Sequence, residues 1–580
     1  MIGVRTINKS AFGFRTRSFK YNLNLNHLRN LSSKSNSKEY DVTIIGGGSV
    51  GSVLANLLSE RVPSLKVSLI DARTPKSMHD ATNIDGATQS FPSPRAYALS
   101  PKSLGLLGDD IMDQIANSGR MSFYDSMQIW ESDGPSVLQF THDDLNADDK
   151  VKFRNQSSDI LGAVVEDEPM VSCLWDKLRS EGEVDLISPA AVTRISAPDA
   201  SDSTSQVEID YQINGDDSVQ TISTNLLVAA DGGNSFVRRT LGTYPTMSYA
   251  YGRKAVTCTV EIDSSIGRTA FQRCKSPILT KTFQCDIYIL LYACCMLLPE
   301  VKLFLTFIDY KSHWTCFNFL VQPNGPIALL PMWNEQIDAR KGNCGEKLYA
   351  NIVWSTVPEE AKSLMNLDEN AFIQKLNDHL QSGPTITPPL VSEELKKSMP
   401  KPIADAANGL EFLSQTLNNG LTMSGMTERR RGFSIPPMIT GVVGRTFSFD
   451  LNLMHAKSYV GNRVALVGDA AHTIHPMAGQ GLNLGLADAD CLVNNLNQAI
   501  RSGMGIDVSA GLEYALQQYE TSRQQEVIAT MGGIQFLHGA FGTTFSPAVH
   551  ARSIGMNIIN SAGPVRRKLA RIATGMDGIN

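Results

Sequence analysis

After Glu39 the chain opens with a β-branched apolar run, Asp41-Val-Thr-Ile-Ile45, which stops at Gly46-Gly-Gly-Ser-Val-Gly51 and continues with helical character from Ser52 to Glu60. A second apolar run, Val67-Ser-Leu-Ile70, ends at Asp71. Short apolar runs bounded by turn residues read as strands, so the order strand, glycine turn, helix, strand, acid predicts a βαβ unit. Two later runs repeat the theme. Leu226-Leu-Val-Ala-Ala enters Asp231-Gly232-Gly-Asn-Ser235, with Arg238 in the helical stretch that follows. Arg463-Val-Ala-Leu-Val enters Gly468-Asp469, followed by a Pro/Gly loop and a helix over Leu484–Leu496. The pattern predicts an α/β protein, mixed with α+β character, whose parallel strands carry acid-and-glycine turns at their C-terminal ends.

The chemistry of these turns points to one extended anionic ligand. Gly46, Gly48 and Gly51 fit G-x-G-x-x-G: the first allows the tight turn, the second lets backbone approach a pyrophosphate, and the third permits close helix–strand packing. Asp71 lies 20 residues beyond Gly51, in register to accept from a ribose hydroxyl. Phosphates would sit at the helix start, where unpaired N–H groups and the dipole favour negative charge. Gly47-Gly-Ser49-Val-Gly51 also spells G-x-S-x-G, the turn that presents a hydrolase nucleophile. That turn follows earlier strands of its sheet, whereas here it follows the first, so Ser49 reads as a turn residue.

Composition narrows the function. The chain has 580 residues, 52 Lys+Arg against 58 Asp+Glu, and a formal net charge of −6. No basic domain offers the footprint of a nucleic-acid binder. Nine cysteines without a C-x-x-C pair indicate neither a disulfide scaffold nor a zinc site, and His472-x-x-His475 without a carboxylate pair at ligand spacing is poor ground for a metal. No metal is expected.

Two segments depart from the average. Residues 1–38 hold eight basic residues and no acid, interleaved with Ser, Asn, Phe and Leu, the composition of a mitochondrial transit peptide. Removing these eight cations takes the formal net charge from −6 to −14. Residues 274–320 carry five of the nine cysteines, and their uncharged core, Ile287–Pro299, is too short for a membrane-spanning helix, which needs about 20 residues. A buried element and a translated intron are the remaining readings. Cys274-Lys-Ser can be encoded with a splice-donor-like sequence and Leu320-Val321 with an acceptor. Splicing there would replace 274–321 by one Phe or Leu.

Taken together, these residues resemble the class A FAD-dependent aromatic hydroxylases, which have the para-hydroxybenzoate-hydroxylase fold. The resemblance rests on the glycine turn, on Asp231-Gly232-x-x-Ser235-x-Val-Arg238, on Gly468-Asp469 and on Arg95 in Pro94-Arg-Ala-Tyr-Ala-Leu-Ser100. Leu161-Gly-Ala-Val-Val-Glu166, Gly325–Pro331, Leu453–Val460 and the stretch Gly468–Leu486 are similar to the ubiquinone-biosynthesis branch, most of all to the mitochondrial hydroxylases of ring position C5. The resemblance covers Tyr40–Arg571. It implies a discontinuous Rossmann-like FAD-binding domain (39–115, 158–240 and 460–510), an inserted β-sheet substrate domain (116–157 and 241–459) and a helical C-terminus (511–580). It implies FAD contacts at Gly46, Gly48, Ser49, Gly51, Asp71, Arg95, Asp231, Gly232, Arg238, Gly468, Asp469, Pro476, Gly479, Gln480, Gly481 and Asn483. The amides of 479–481, at a helix start, would stabilise negative charge on the flavin.

The activity implied is hydroxylation of a polyprenylated phenol by O2 through a flavin C4a-hydroperoxide, the protein supplying position and shielding. No catalytic base is identified; His455 is the substrate-facing candidate. The implied electron donors are ferredoxin and its reductase, with NAD(P)H the usual donor elsewhere in class A, and the implied setting is a complex of coenzyme Q biosynthesis proteins on the matrix side of the inner membrane. A C-terminal stretch combining Ile554, Met556, Ile558, Ile559, Val565, Leu569 and Ile572 with Arg552, Arg566, Arg567, Lys568 and Arg571 reads either as a membrane-surface helix or as a helix packed on the body with a solvated basic edge. Alternatives are a flavin hydroxylase or epoxidase of another aromatic or isoprenoid substrate, and a non-catalytic binder of prenylated proteins.

Overall fold

The structure is a computed structural model. It describes residues 38–81, 83–84, 87–88, 91–131, 134–145, 160–198, 205–216, 218–274, 324–333, 335–336, 346–385, 389, 393–398, 400–425, 433–475, 479–507, 509–542 and 546–573. The transit-peptide reading of 1–38 and the insertion reading of 274–320 thus fall almost wholly outside the described residues.

In chain order the principal elements begin with β1 (Lys38–Ile45), α1 (Ser49–Arg61), β2 (Val67–Ile70), β3 (Ala96–Leu99), β4 (Met121–Tyr124), β5 (Ser126–Glu131) and β6 (Val137–Thr141). Then come β7 (Gly162–Glu166), α2 (Asp167–Glu181), β8 (Val184–Ile187), β9 (Ala190–Ser196), β10 (Val207–Ile213), β11 (Val219–Ala229) and α3 (Phe236–Leu241). The middle of the chain adds β12 (Thr246–Ile262), β13 (Thr269–Cys274), β14 (Asn324–Pro331), β15 (Tyr349–Thr356), α4 (Lys401–Gly425) and β16 (Ile439–Ala456). Last are β17 (Val464–Leu466), β18 (His472–Thr473), α5 (Gln480–Arg501), α6 (Ser509–Gly542), α7 (Ser546–Ser561) and α8 (Gly563–Ala573).

The first sheet runs β8-β2-β1-β11-β10-β9, with β17 on β11. β1 pairs β2 in parallel, Val42 opposite Val67 and Ile45 opposite Ile70, and β17 pairs β11 in parallel, Leu227 opposite Val464. Every residue of β2 is buried, as a strand with a parallel neighbour on each side requires. Its one polar residue, Ser68, meets the Thr43 hydroxyl at 2.9 Å, so neither is left unpaired in the core. α1 covers this sheet with Val53, Leu54, Leu57 and Leu58, and α5 packs against α1.

The second sheet runs β18-β16-β12-β15-β14-β13-β5-β6. One core cluster joins it, through Trp130, Val256, Ile352 and Trp354, to the helices Pro358–Met365 and Glu369–Leu380. A separate apolar cluster joins it, through Leu330, Met332 and Tyr349, to a small third sheet, β3-β7-β4, through Ala98, Tyr124 and Val164.

β13 and β14 are antiparallel neighbours, with Phe271 opposite Leu329 and Arg273 opposite Ile327. Residues 275–323 therefore lie between two strands already joined by their ladder. Replacing 274–321 by a single Leu leaves six residues, that Leu and 322–326, between Arg273 and Ile327, a short loop for a hairpin. The shortened chain is expected to fold with a melting temperature no lower than the full chain, since a shorter connection costs less closure entropy, up to about 2 kcal/mol here. Parallel thermal melts check this, and a shortened chain that fails to fold contradicts it.

Candidate active site

Three turns recognised in the sequence come together because their strands do. β1, β11 and β17 are consecutive parallel neighbours, so Gly46, Asp231 and Gly468, each just past a strand, line one edge of the sheet. Ala230 N–H donates to Ile45 O at 2.8 Å and Val467 N–H to Ala229 O at 2.9 Å, extending the ladder to the base of the turns. Glycine is required where backbones crowd. A Cβ on Gly46, whose φ is +104°, would meet Ala230 O at 2.4 Å, and one on Gly51 would meet Gly46 O at 1.8 Å. Gly48, at the start of α1, faces open space instead: a Cβ there meets nothing within 4 Å. That is the glycine expected to admit a phosphate.

Side chains fix the turns from behind. Asp71 Oδ2 accepts from Gly47 N–H at 2.7 Å and Oδ1 from Arg73 N–H at 2.7 Å. Trp175, from α2, donates to Gly47 O at 2.8 Å. Asp231 Oδ2 accepts from Phe236 N–H and Val237 N–H at 2.6 and 3.1 Å, while its Oδ1 is buried and unpartnered. Arg238 spans two turns, donating to Ala470 O at 2.5 Å and Gly233 O at 2.7 Å. Ser49 and Arg95 are joined by Asp167, whose carboxylate lies 2.7 Å from Ser49 Oγ and 2.9 Å from Arg95 Nε. Asp167 raises the Arg95 pKa, and Tyr97 beside them is pushed up to about 12, by burial first and Asp167 second.

Asp469 presents an accessible carboxylate in a crevice crowded enough that desolvation raises its pKa against the pull of His472. Gly479 caps α5 with φ +61°, placing Gln480 and Gly481 in the first turn. Asn483 uses its amide on backbone, donating to Ala98 O and Gly479 O at 3.0 Å each and accepting from Ser100 N–H at 2.9 Å. It thereby ties the start of α5 to β3. Pro476 lies outside the described residues.

Glu166 is 1% exposed and accepts from Ser93 N–H at 2.7 Å and Trp333 Nε1 at 2.6 Å, with Arg120 at 3.5 Å. Burial raises its pKa more than Arg120 lowers it. It ties the third sheet to the end of β14. His455, opposite His472 in the β16–β18 ladder, is 6% exposed with its ring against Tyr459 and its Nε2 enclosed and unpartnered. The structure turns this candidate inward. Among the described residues no group of three His, Cys, Asp or Glu is placed to hold a metal ion.

Two residues of the C-terminal basic stretch are committed to the body. Arg552 is 8% exposed and pairs with buried Glu131 at 2.5 Å, because a cation enclosed by this packing needs a counterion. Arg566 pairs with Asp144 at 2.5 Å, and Ala570 is buried against the cluster of Tyr124 and Leu161. Arg567 and Lys568 stay exposed.

An open glycine at a helix start, an orphaned Asp231 oxygen, an accessible Asp469 and a second helix start at Gly479 form the donor and acceptor set of a dinucleotide, phosphates at one end and hydroxyls at the other. The chain matches the family described as FAD binding domain over residues 39–266 and 426–530, and it belongs to that family; its cofactor is FAD. It is similar along nearly its whole length to proteins named "Ubiquinone biosynthesis monooxygenase COQ6, mitochondrial". The Drosophila melanogaster protein is 27% identical, over 94% of this chain and 92% of its own, and the Homo sapiens protein 26%, over 94% and 95%. Among solved structures, p-nitrophenol 4-monooxygenase PnpA from Pseudomonas putida superposes with a TM-score of 0.55 at 15% identity, covering 94% of this chain and all of its own. The flavin-dependent brominase Bmp2 gives 0.53 at 12% identity, over 93% and 94%. These structures share the fold.

Burial, with neighbouring His472 adding to it, holds the His455 pKa below its usual 6.5. The folded state then resists protonation more than the unfolded chain, so stability is complete above about pH 6.5 and declines as pH falls below it. In His455→Gln the melting temperature is expected to fall less steeply between pH 6.5 and 5 than in the parent; equal slopes contradict the assignment.

Proposed function

We propose that this protein is an FAD-dependent monooxygenase that hydroxylates the ring of a polyprenylated phenol in ubiquinone biosynthesis, at C5, in mitochondria. The observation that carries the reading is the convergence of the three turns on a dinucleotide-shaped crevice, in a chain similar end to end to monooxygenases named for that pathway. The mitochondrial names of those relatives and the composition of residues 1–38 support the location.

Bound FAD supplies the activation of dioxygen. The chain's residues would hold it: Gly46, Gly48, Ser49 and Gly51 at the pyrophosphate, Asp71 at the adenosine ribose, Arg95, Asp231, Gly232 and Arg238 beside the phosphates, and Gly468-Asp469 at the ribityl hydroxyls. The amides of Gly479, Gln480 and Gly481 would stabilise negative charge on the ring system, and Asn483 fixes that helix start. The apolar cluster between the third sheet and β14–β15, with Tyr124, Val164, Leu330 and Tyr349, is the wall we assign to the phenol, where exclusion of water protects the reaction. His455 packs behind this machinery.

Electrons come, on this reading, from ferredoxin and its reductase, as the mitochondrial resemblance implies, with other coenzyme Q biosynthesis proteins as neighbours in a complex. Anaerobic bleaching of the bound flavin tests the donor. Ferredoxin with its reductase and NADPH is expected to reduce it and NADPH alone is not; the reverse result replaces the donor.

No described helix is long and apolar enough to cross a membrane. α4 nevertheless exposes Leu410, Phe412, Leu413 and Leu417 and packs on α7 through Ser414 and His550, while α7 exposes Ile558 and α8 exposes Val565. With Arg567 and Lys568 exposed on α8, these apolar positions suit an anionic bilayer on the matrix side. The protein is expected to float with cardiolipin-containing liposomes, and Leu410→Glu with Leu413→Glu and Leu417→Glu to abolish it. Equal flotation rules out this face.

A further inference from the structure

One buried carboxylate belongs to none of the three turns yet touches the last of them. Asp488 lies on α5, fully buried, two turns beyond the helix start at Gly479. Its Oδ2 accepts from Gly468 N–H at 2.9 Å and His472 Nε2 at 2.6 Å, and its Oδ1 from Arg523 Nε at 2.7 Å. Arg523 in turn donates to Leu484 O at 3.3 Å and pairs with Glu526. Burial pushes the Asp488 pKa up, but His472 and Arg523 together outweigh it and leave it below the ordinary value, so it is a carboxylate at neutral pH.

The two backbone segments it joins leave no room for adjustment. Gly468 has φ +59°, and a Cβ there would meet Val50 at 3.1 Å; a Cβ on Gly485 would meet Val50 at 2.8 Å and Gly468 Cα at 3.1 Å. The Gly468-Asp469 turn, the wall of α5 and the first turn of α1 are therefore in direct contact, and Asp488 is the group that hydrogen-bonds both ends of Gly468–His472.

We infer that Asp488 is a positioning residue for the flavin: its carboxylate clamps the Gly468–His472 turn to α5, so that the Asp469 carboxylate and the helix start at Gly479 face one ligand. This rests on the reading that the turn holds FAD. Three N–H donors converge on two oxygens, an arrangement only a carboxylate satisfies. An amide offers one acceptor and turns its own N–H2 toward a donor, leaving buried groups unpaired.

The test titrates FAD into flavin-stripped full-length chain, following flavin fluorescence, with apoprotein melting temperatures and the visible flavin spectrum at saturation. Asp488→Asn is expected to weaken FAD binding about tenfold or more, the scale of one unpaired buried group, with an altered spectrum and an apoprotein that still melts cooperatively. Binding as tight as the parent's overturns the inference. If Asp488→Asn does not fold, His472 decides. His472→Gln keeps an N–H for Asp488 and should bind FAD within about threefold of the parent, whereas His472→Leu should lose about tenfold. Equal affinities for that pair overturn the inference while leaving the flavin site intact. A parent chain that takes up no FAD overturns instead the assignment of the turn itself.

Discussion

Parallel strands that end together set the terms for everything else in this protein. Each strand of β1, β11 and β17 delivers its last paired residue to one edge of the sheet, where the following turns present backbone N–H groups and acids that strand pairing no longer serves. A dinucleotide is one molecule long enough to answer all three turns, which is why open α/β sheets bind such ligands at this edge. Among the described residues, the second sheet meets that edge where β18 follows Gly468-Asp469 directly into the β16 ladder. That short link joins the edge with the three turns to the second sheet.

Much of this was legible in the sequence, for a definite reason. The turns were visible because each demands residue types that few other situations demand: a glycine at φ +104° against a neighbouring carbonyl, a glycine without Cβ between helix and strand, an acid at a fixed distance. Asp71 was found by spacing, and its carboxylate does stand at the glycine turn, on Gly47 N–H. The residues that sequence reading missed are those whose partners lie far along the chain. Asp167 meets Ser49 across 118 positions, Trp175 meets Gly47 across 128, and Glu166 meets Trp333 across 167. Asp488 did leave a trace: an acid at the spacing of Leu484 and Leu492, on the apolar face of a helix, where an unpaired charge would be prohibitive. Arg552 shows the opposite failure. Counted among surface cations, it is half of an internal ion pair, because local composition does not reveal which face of a helix will be covered.

The C-terminal helices pack on the body, one of the two readings that their sequence left open. α7 and α8 lock onto the second sheet and the turn after β6 through Arg552 with Glu131, Ser553 with Glu131 at 2.6 Å, and Arg566 with Asp144. Only the remaining exposed positions, with α4 beside them, are left to meet anything outside. The basic helix is thus first a brace.

The wide separation of β1 from β17 carries a consequence for how the protein comes into being. About 420 residues lie between the strand that begins the cofactor site and the strand that completes it. At about 5–20 residues per second, synthesis leaves the glycine turn waiting for roughly 20–80 s before its partner strand exists. A chain delivered end-first through a narrow pore would face the same order of events. During that interval β11 has no β17 beside it, and its open flank is the kind of edge that recruits stray strands. The early half must therefore stay soluble until the late half arrives, and the three turns stand together only once β17 has joined β11.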